Sequence, residues 1–182
     1  RLGLAQCLWS LRRQEEAVDH CRELLRLNPN DNQGVRYVLS SYLCELGRDD
    51  QWQQLLGEYP DDASAEWHFG RALLAYRRQG DTDDSRALLQ AAHAANPYVA
   101  EYLVGNRALP AEPPRYVALG EDSEAHSYSG AFLPGWRGTP GAAAWVRKTL
   151  QIAPPGGQRE LRRPSWTFLK GSVGDLPLAE GE

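Results

Sequence analysis

The sequence predicts an all-α fold, an α-solenoid of short antiparallel helical hairpins, on two observations. Between Leu4 and Pro29 the residues Leu4, Ala5, Leu8, Ala17, Cys21 and Leu24 recur at helical spacing on two short segments. Two periods of about 34 residues further on, Ala72, Leu73, Tyr76, Ser85, Leu89 and Ala92 stand in the same slots, and Asn28-Pro29 returns as Asn96-Pro97. A pair of such helices cannot bury its apolar side alone, so each hairpin needs a neighbour.

A helix-turn-helix unit of that length, with a small residue at the crossing and a proline at the close, resembles the tetratricopeptide repeat. The first unit, 1–30, has helices Leu2 to Leu11 and Gln14 to Leu27, with Ala17 small enough to let the two backbones approach. Asn28-Pro29-Asn30-Asp31 ends it, because proline disfavours helix in the residue before it and Asn and Asp favour turns. The middle unit, 33–60, carries Val35, Val38, Leu39, Tyr42, Leu43 and Leu46, with Gly47 as C-cap and Asp49 capping its second helix. Trp52 stands where a small residue is expected and Pro60 cuts the unit short, which predicts a shortened or splayed hairpin. The third unit, 63–97, places Trp67, Phe69, Leu73 and Tyr76 before Gly80, then Ala87, Leu88, Leu89 and Ala92, with Asp83 or Asp84 as cap.

A short helix from Tyr98 to Gly105 completes the repeat region, 1–105. Residues 106–120 form a Pro-rich connector, extended from Leu109 to Pro114. A helical cap follows over 121–150: one helix from Asp122 or Ser123 to about Leu133, kinked or ended at Pro134-Gly135, and a second from Gly141 to Leu150, begun by Thr139-Pro140. Residues 151–182 lose periodicity among Pro154, Pro155, Gly156 and Gly157, and predict a flexible tail with one apolar island at Trp166 to Leu169.

Composition narrows the function. The 182 residues carry a net charge of -4, the wrong sign for a surface that neutralises phosphates, which argues against nucleic acid as a partner. Three cysteines without a CxxC pair supply neither a disulfide framework nor a zinc site and point to a reducing, cytoplasmic compartment. No apolar run reaches the roughly 18 residues of a membrane span. The chain opens at Arg1 inside what should be a first repeat helix, so an upstream segment is expected.

No constellation of residues reads as catalytic, and no cofactor is implied. Cys7 and Cys21 fall on packing positions, where a thiol behaves as a small hydrophobe, while Cys44 falls on the groove side and is expected to be accessible. No pair among His20, His68, His93 and His126 has the i, i+4 spacing of a metal site. Asp81, Asp83 and Ser85 imitate a calcium loop, but Arg86 and Ala92 replace its glycine and its bidentate glutamate. Gly135, Gly138 and Gly141 lack the preceding strand and the Lys-Ser/Thr ending of a phosphate loop.

The concave groove is the better candidate, as a site for a protein or peptide partner. The first helix of each hairpin lines it, presenting Leu2, Gln6 and Trp9, then Tyr37, Ser41, Cys44 and Glu45, then Trp67, Arg71, Leu74, Arg77 and Arg78. Arginines beside aromatic rings suit a carboxylate or an acidic peptide. Of the basic set with which some repeats hold a C-terminal carboxylate, only Arg71 is matched. The alternative is a structural or oligomerisation segment with no groove ligand.

A second resemblance covers residues 2 to about 147. It rests on Leu4-Ala5-Gln6-Cys7 with Glu16-Ala17-Val18, Glu45-Leu46 before Tyr59-Pro60-Asp61-Asp62, and Asn96-Pro97-Tyr98-Val99 with Tyr102-Leu103. Leu109-Pro110, the run Gly120 to Ala125, Trp136 and Gly141-Ala142 complete it. In these motifs the chain resembles the C-terminal helical region of the suppressor of tumorigenicity 7 family and its bacterial tetratricopeptide relatives. That resemblance implies a helical interaction scaffold without catalytic residues, membrane-associated in eukaryotic members and soluble in bacterial ones. The chain departs from the pattern at Arg12-Arg13, Trp52 and Pro134, and beyond residue 150.

Overall fold

A computed structural model describes residues 1–154, so the apolar island at 166–169 lies outside the described residues. Nine helices form, and no strands, among those residues: α1 Leu2–Ser10, α2 Gln14–Leu27, α3 Val35–Glu45, α4 Asp49–Glu58, α5 Ala65–Gln79, α6 Asp83–Ala95, α7 Val99–Leu103, α8 Asp122–Arg137 and α9 Ala142–Leu150. The pairs α1/α2, α3/α4 and α5/α6 are antiparallel hairpins stacked in order, a tetratricopeptide-like array. Ala17 is fully buried at the first crossing, with Ala5 and Leu8 opposite it. Ala72 and Leu89 are fully buried in the third hairpin.

The middle hairpin is short, and its irregularity has a physical solution. Trp52 is fully buried where a small side chain was expected. Its indole N–H donates to the Ser40 hydroxyl at 2.7 Å, which removes the cost of a buried unpaired donor. Room for the ring comes from the next hairpin: a Cβ on Gly70 would sit 3.1 Å from it.

Several helix ends differ from the sequence expectation. Thr82, not Asp83 or Asp84, caps α6: its hydroxyl accepts from the Ser85 N–H, and the Ser85 hydroxyl accepts from the Thr82 N–H at 3.0 Å, a capping box built with serine. Arg48 rather than Asp49 precedes α4, and Gly47 follows the Leu46 cap in the left-handed region at φ 67°. Helix α7 is shorter than 98–105.

The largest departure is in α8, which runs through Pro134 to Arg137. A proline inside a helix removes one backbone bond and costs about 3 kcal/mol. Here the ladder resumes at once, with Gly138 N–H donating to the Pro134 carbonyl at 2.9 Å. Packing beyond the break offsets the cost: Trp136 is buried, donates to the Tyr128 hydroxyl at 2.8 Å and lies beside Trp145 of α9. Gly141, in the left-handed region at φ 77°, starts α9 where a Cβ would meet the Tyr76 hydroxyl at 2.7 Å. Ile152 and Ala153, the first residues of the expected tail, are still held, Ile152 through the Arg147 carbonyl and Ala153 through Asn106.

Candidate functional site

Helix α8 lies on the first helices of the second and third hairpins, α3 and α5, which is the face expected to form an open groove. The contact is close because position 135 is glycine: a Cβ there would collide with the Cys44 sulfur. Arg77 closes the joint. Its guanidinium donates to the Cys44 and Gly135 carbonyls at 3.0 Å each, to Asp49 at 2.9 Å and to the Thr139 hydroxyl at 2.8 Å, and it lies 5.6 Å over the Trp52 ring. The expected groove residues Cys44 and Arg77 are therefore packing residues beneath α8. Phe69 on Tyr128 and Trp52 on Phe132 extend the same interface.

The remaining expected residues separate into three places. Gln6 and Glu45 are exposed, Trp9 stacks on Tyr42 at 3.7 Å, and Ser41 is buried, its hydroxyl donating to the Val38 carbonyl. Tyr37 and Trp67, near the starts of α3 and α5, meet edge to face at 5.6 Å. Trp67 is fully buried and donates to the Leu56 carbonyl, so it is a core residue rather than a groove residue. Arg71 and Arg78 face α4 instead. They share one stripe of α5 with Trp67 and Leu74, whereas Arg77 lies 100° round the helix from Arg78 and turns toward α8.

An arginine beside aromatic rings does occur, at a residue the sequence reading passed over. Arg36 lies 4.4 Å over the Tyr37 ring and 5.0 Å over Tyr59, and pairs with Asp31 at 3.2 Å and Asp62 at 2.8 Å. Its hydrogen bonds are spent within the fold. Burial and the Asp62 charge push the Tyr37 hydroxyl up to about 12, and hydrogen bonds from Ser64, Arg36 and Tyr37 outweigh desolvation to hold the Asp62 carboxyl below its usual range. The Asn-Asp turn after Pro29 was the available signal, since the buried Asp31 accepts from Val35 N–H at 2.7 Å and so starts α3.

A second buried carboxylate joins the cap to the array. Glu124 accepts from Ala65 N–H, Gly120 N–H and the Asn96 amide at 2.8 Å each, so a residue of α8 closes the start of α5. Beside it burial pushes the half-buried Glu66 up to about 7, with the Glu124 charge adding to the shift.

Cys21 is buried as expected, while Cys7 and Cys44 reverse their expected exposure. Cys7 is exposed on α1, and Cys44 is fully buried because α8 covers it. Burial pushes the Cys44 thiol up to about 12 and that of Cys21 to about 11, so neither supplies a thiolate near neutral pH. Among the described residues no three His, Cys, Asp or Glu side chains gather as a metal site, and no helix is long and apolar enough to cross a membrane. Asp81, of the false calcium loop, pairs with Arg86 at 2.6 Å and Lys148 at 2.7 Å.

The stripe carrying Arg71 and Arg78 opens on a cleft of about 620 Å³ between α4 and α5, with Leu88 of α6 at its edge. Leu56, Leu74 and Ala75 make the apolar part of its lining. Arg71 donates to the Pro60 carbonyl at 3.1 Å, and Arg78 to Asp50 at 2.6 Å and to Gln53.

Comparison with known proteins agrees with this architecture. Residues 1–32 and 50–102 match the family model of the tetratricopeptide repeat. The gap, 33–49, holds the whole of the shortened middle hairpin's first helix, and the matched region stops before α8. No curated protein and no solved structure gives a significant match, so the likeness to the suppressor of tumorigenicity 7 family rests on its motifs alone.

Proposed function

We propose that the chain is a non-enzymatic protein-protein interaction scaffold that receives an acidic, apolar segment of a protein partner in the cleft between α4 and α5. Tetratricopeptide repeats are in general protein-protein interaction modules, and the resemblance to the suppressor of tumorigenicity 7 family supports the same class. One observation carries the choice of surface: an apolar cleft with an arginine at either end. Arg71 and Arg78 are two helical turns apart, about 10 Å along α5, and Leu56, Leu74 and Ala75 lie in the cleft they flank. Guanidinium groups hold carboxylates through paired hydrogen bonds. Arg78's ion-pair partner is easily exchanged, because the Asp50 side chain is 99% exposed and an exposed pair is worth at most about 1 kcal/mol. The inner face, by contrast, is filled by α8, and a peptide reaching Arg77 there would have to displace it. The three unpaired cysteines suit a reducing, cytoplasmic setting for this role.

Panning a displayed library of random peptides against the 182-residue chain tests the proposal. Enriched peptides should combine Asp or Glu with Leu or Phe and should lose binding to the R71E/R78E variant. Peptides that bind this variant as well as the wild type overturn it.

A second reading, a segment that self-associates, has one observation in its favour: Leu4, Leu11 and Leu27 of the first hairpin are 49%, 68% and 53% exposed. Light scattering at rising concentration separates the two, since a strict monomer excludes self-association.

A further inference from the structure

The segment between α7 and α8 is tied at both ends and open in the middle. At its start Arg107 pairs with both carboxylate oxygens of Asp122 and lies 4.9 Å over the Tyr102 ring. At its end Ala118 N–H donates to the Ser123 hydroxyl at 3.1 Å, and Gly120 N–H to Glu124 at 2.8 Å. Among the described residues, no hydrogen bond or ion pair holds residues 108–117 to the body. The chain bends at 111–112 and again at 115–116, and Pro110, Pro113 and Pro114 fix their own φ and bias the residues before them toward extended backbone. Directly after them Tyr116 is 74% exposed, the most exposed large hydrophobic side chain among the described residues. Among the described residues no hydrogen bond, aromatic pair or cation–π contact uses its ring.

We propose that Pro113-Pro114-Arg115-Tyr116 is a docking motif for a WW-type domain, a partner whose aromatic-lined groove takes polyproline segments. In a polyproline conformation, reached by straightening the bend at Arg115 and Tyr116, three residues per turn place Pro113 and Tyr116 on one edge, about 9 Å apart, with Pro114 beside them. The aromatic groove clasps the proline rings, and an adjoining apolar pocket takes the tyrosine ring while its hydroxyl stays at the wet rim. The fixed φ of the three prolines limits the conformations lost on binding, which reduces its ordering cost. The same segment also contains Pro110, Pro113 and Arg115 at the spacing an SH3-type groove reads. That alternative leaves Tyr116 unused and sets the charged Glu112 among aromatic rings, so the WW-type partner fits better.

Titration of the full 182-residue chain with a purified WW domain that selects Pro-Pro-x-Tyr peptides, followed by fluorescence anisotropy, tests this, with a purified SH3 domain in parallel. The wild type should bind the WW domain, and Tyr116→Ala and Pro114→Ala should each weaken binding more than about tenfold, the loss of a contact worth 1.4 kcal/mol or more. Both residues lie outside the core, so the thermal midpoint should hold, and R71E/R78E should bind the WW domain as the wild type does. Absence of wild-type binding, or equal binding by Tyr116→Ala, overturns the proposal. So does capture by the SH3 domain that Arg115→Ala abolishes and Tyr116→Ala leaves intact.

Discussion

Gly135 of α8 packs against Cys44 of α3 with no space for a single added methyl group. This contact is where a helix outside the repeats meets the inner face of the array. Gly135→Ala would gain helix propensity and lose the fit, because its Cβ meets both the Cys44 sulfur and, at 3.3 Å, the Cys44 carbonyl. Overpacking of this kind costs about 1 to 3 kcal/mol. The expected result is a lower urea midpoint for Gly135→Ala, with part of the loss recovered when Cys44→Ala is added. Independent, additive effects of the two substitutions would show that the helices do not meet here.

Arg77 and Arg78 are neighbours in sequence with opposite roles. Arg77 is 11% exposed and satisfies two backbone carbonyls, a hydroxyl and a carboxylate. Arg77→Ala leaves those groups with fewer partners and should cost about 2 to 4 kcal/mol. Arg78→Ala removes only exposed pairs and should stay within about 0.5 kcal/mol of the wild type. Chemical denaturation of the two variants checks this, and equal losses would contradict the placement of α8.

Glu66 gives the fold a pH dependence. Burial raises its pKa from 4.5 to about 7, so the folded state holds this proton more tightly than the unfolded chain does. Both states are protonated below about pH 4, and between pH 4.5 and 7 the unfolded chain releases its proton first. The group's contribution to stability therefore falls across that window and stays low above pH 7. The charges of Glu124 and Asp62 press the same way. Glu66→Gln should stabilise the protein by about 1 to 2 kcal/mol at pH 8 and have little effect at pH 4.5, since solvent reaches part of the carboxyl and reduces the full effect. Thermal melts at the two pH values measure the difference, and a substitution effect independent of pH would refute the assignment.

The hairpins were legible because they are written in local chemistry. Ala17, Ala72 and the two Asn-Pro turns set crossings and ends that need only neighbours in sequence. What the sequence did not reveal depends on packing between helices rather than on the residues next to each position. Trp52 looked like damage to the repeat, yet Ser40 on the facing helix and Gly70 on the next hairpin make its pocket. Pro134 looked like a helix end, and the helix continues because Trp136 finds Tyr128 and Trp145. The groove residues were assigned on the premise that first helices face an open channel. A repeat period specifies how hairpins stack but says nothing about where a non-repeat helix settles. Once α8 covers α3 and α5, Cys44 and Arg77 become core, while the α5 stripe against α4 keeps Arg71 and Arg78 at a surface cleft.

That reversal of exposure can be measured directly on the cysteines. Cys7 is exposed, whereas Cys21 and Cys44 are fully buried and their thiols are pushed up to about 11 and about 12. Reaction with a thiol reagent proceeds through the thiolate, so both burial and the raised pKa slow it. In native buffer at pH 8 one thiol per chain should react quickly, and Cys7→Ser should abolish that phase. The other two should react only as the chain opens, and for Cys44 the opening is the departure of α8 from the inner face. Gly135→Ala, by loosening that contact, should therefore speed the labelling of Cys44 more than that of Cys21. Equal acceleration of both would mean that α8 and the first two hairpins open as one unit, and rapid native labelling of Cys44 would mean that α8 does not cover it.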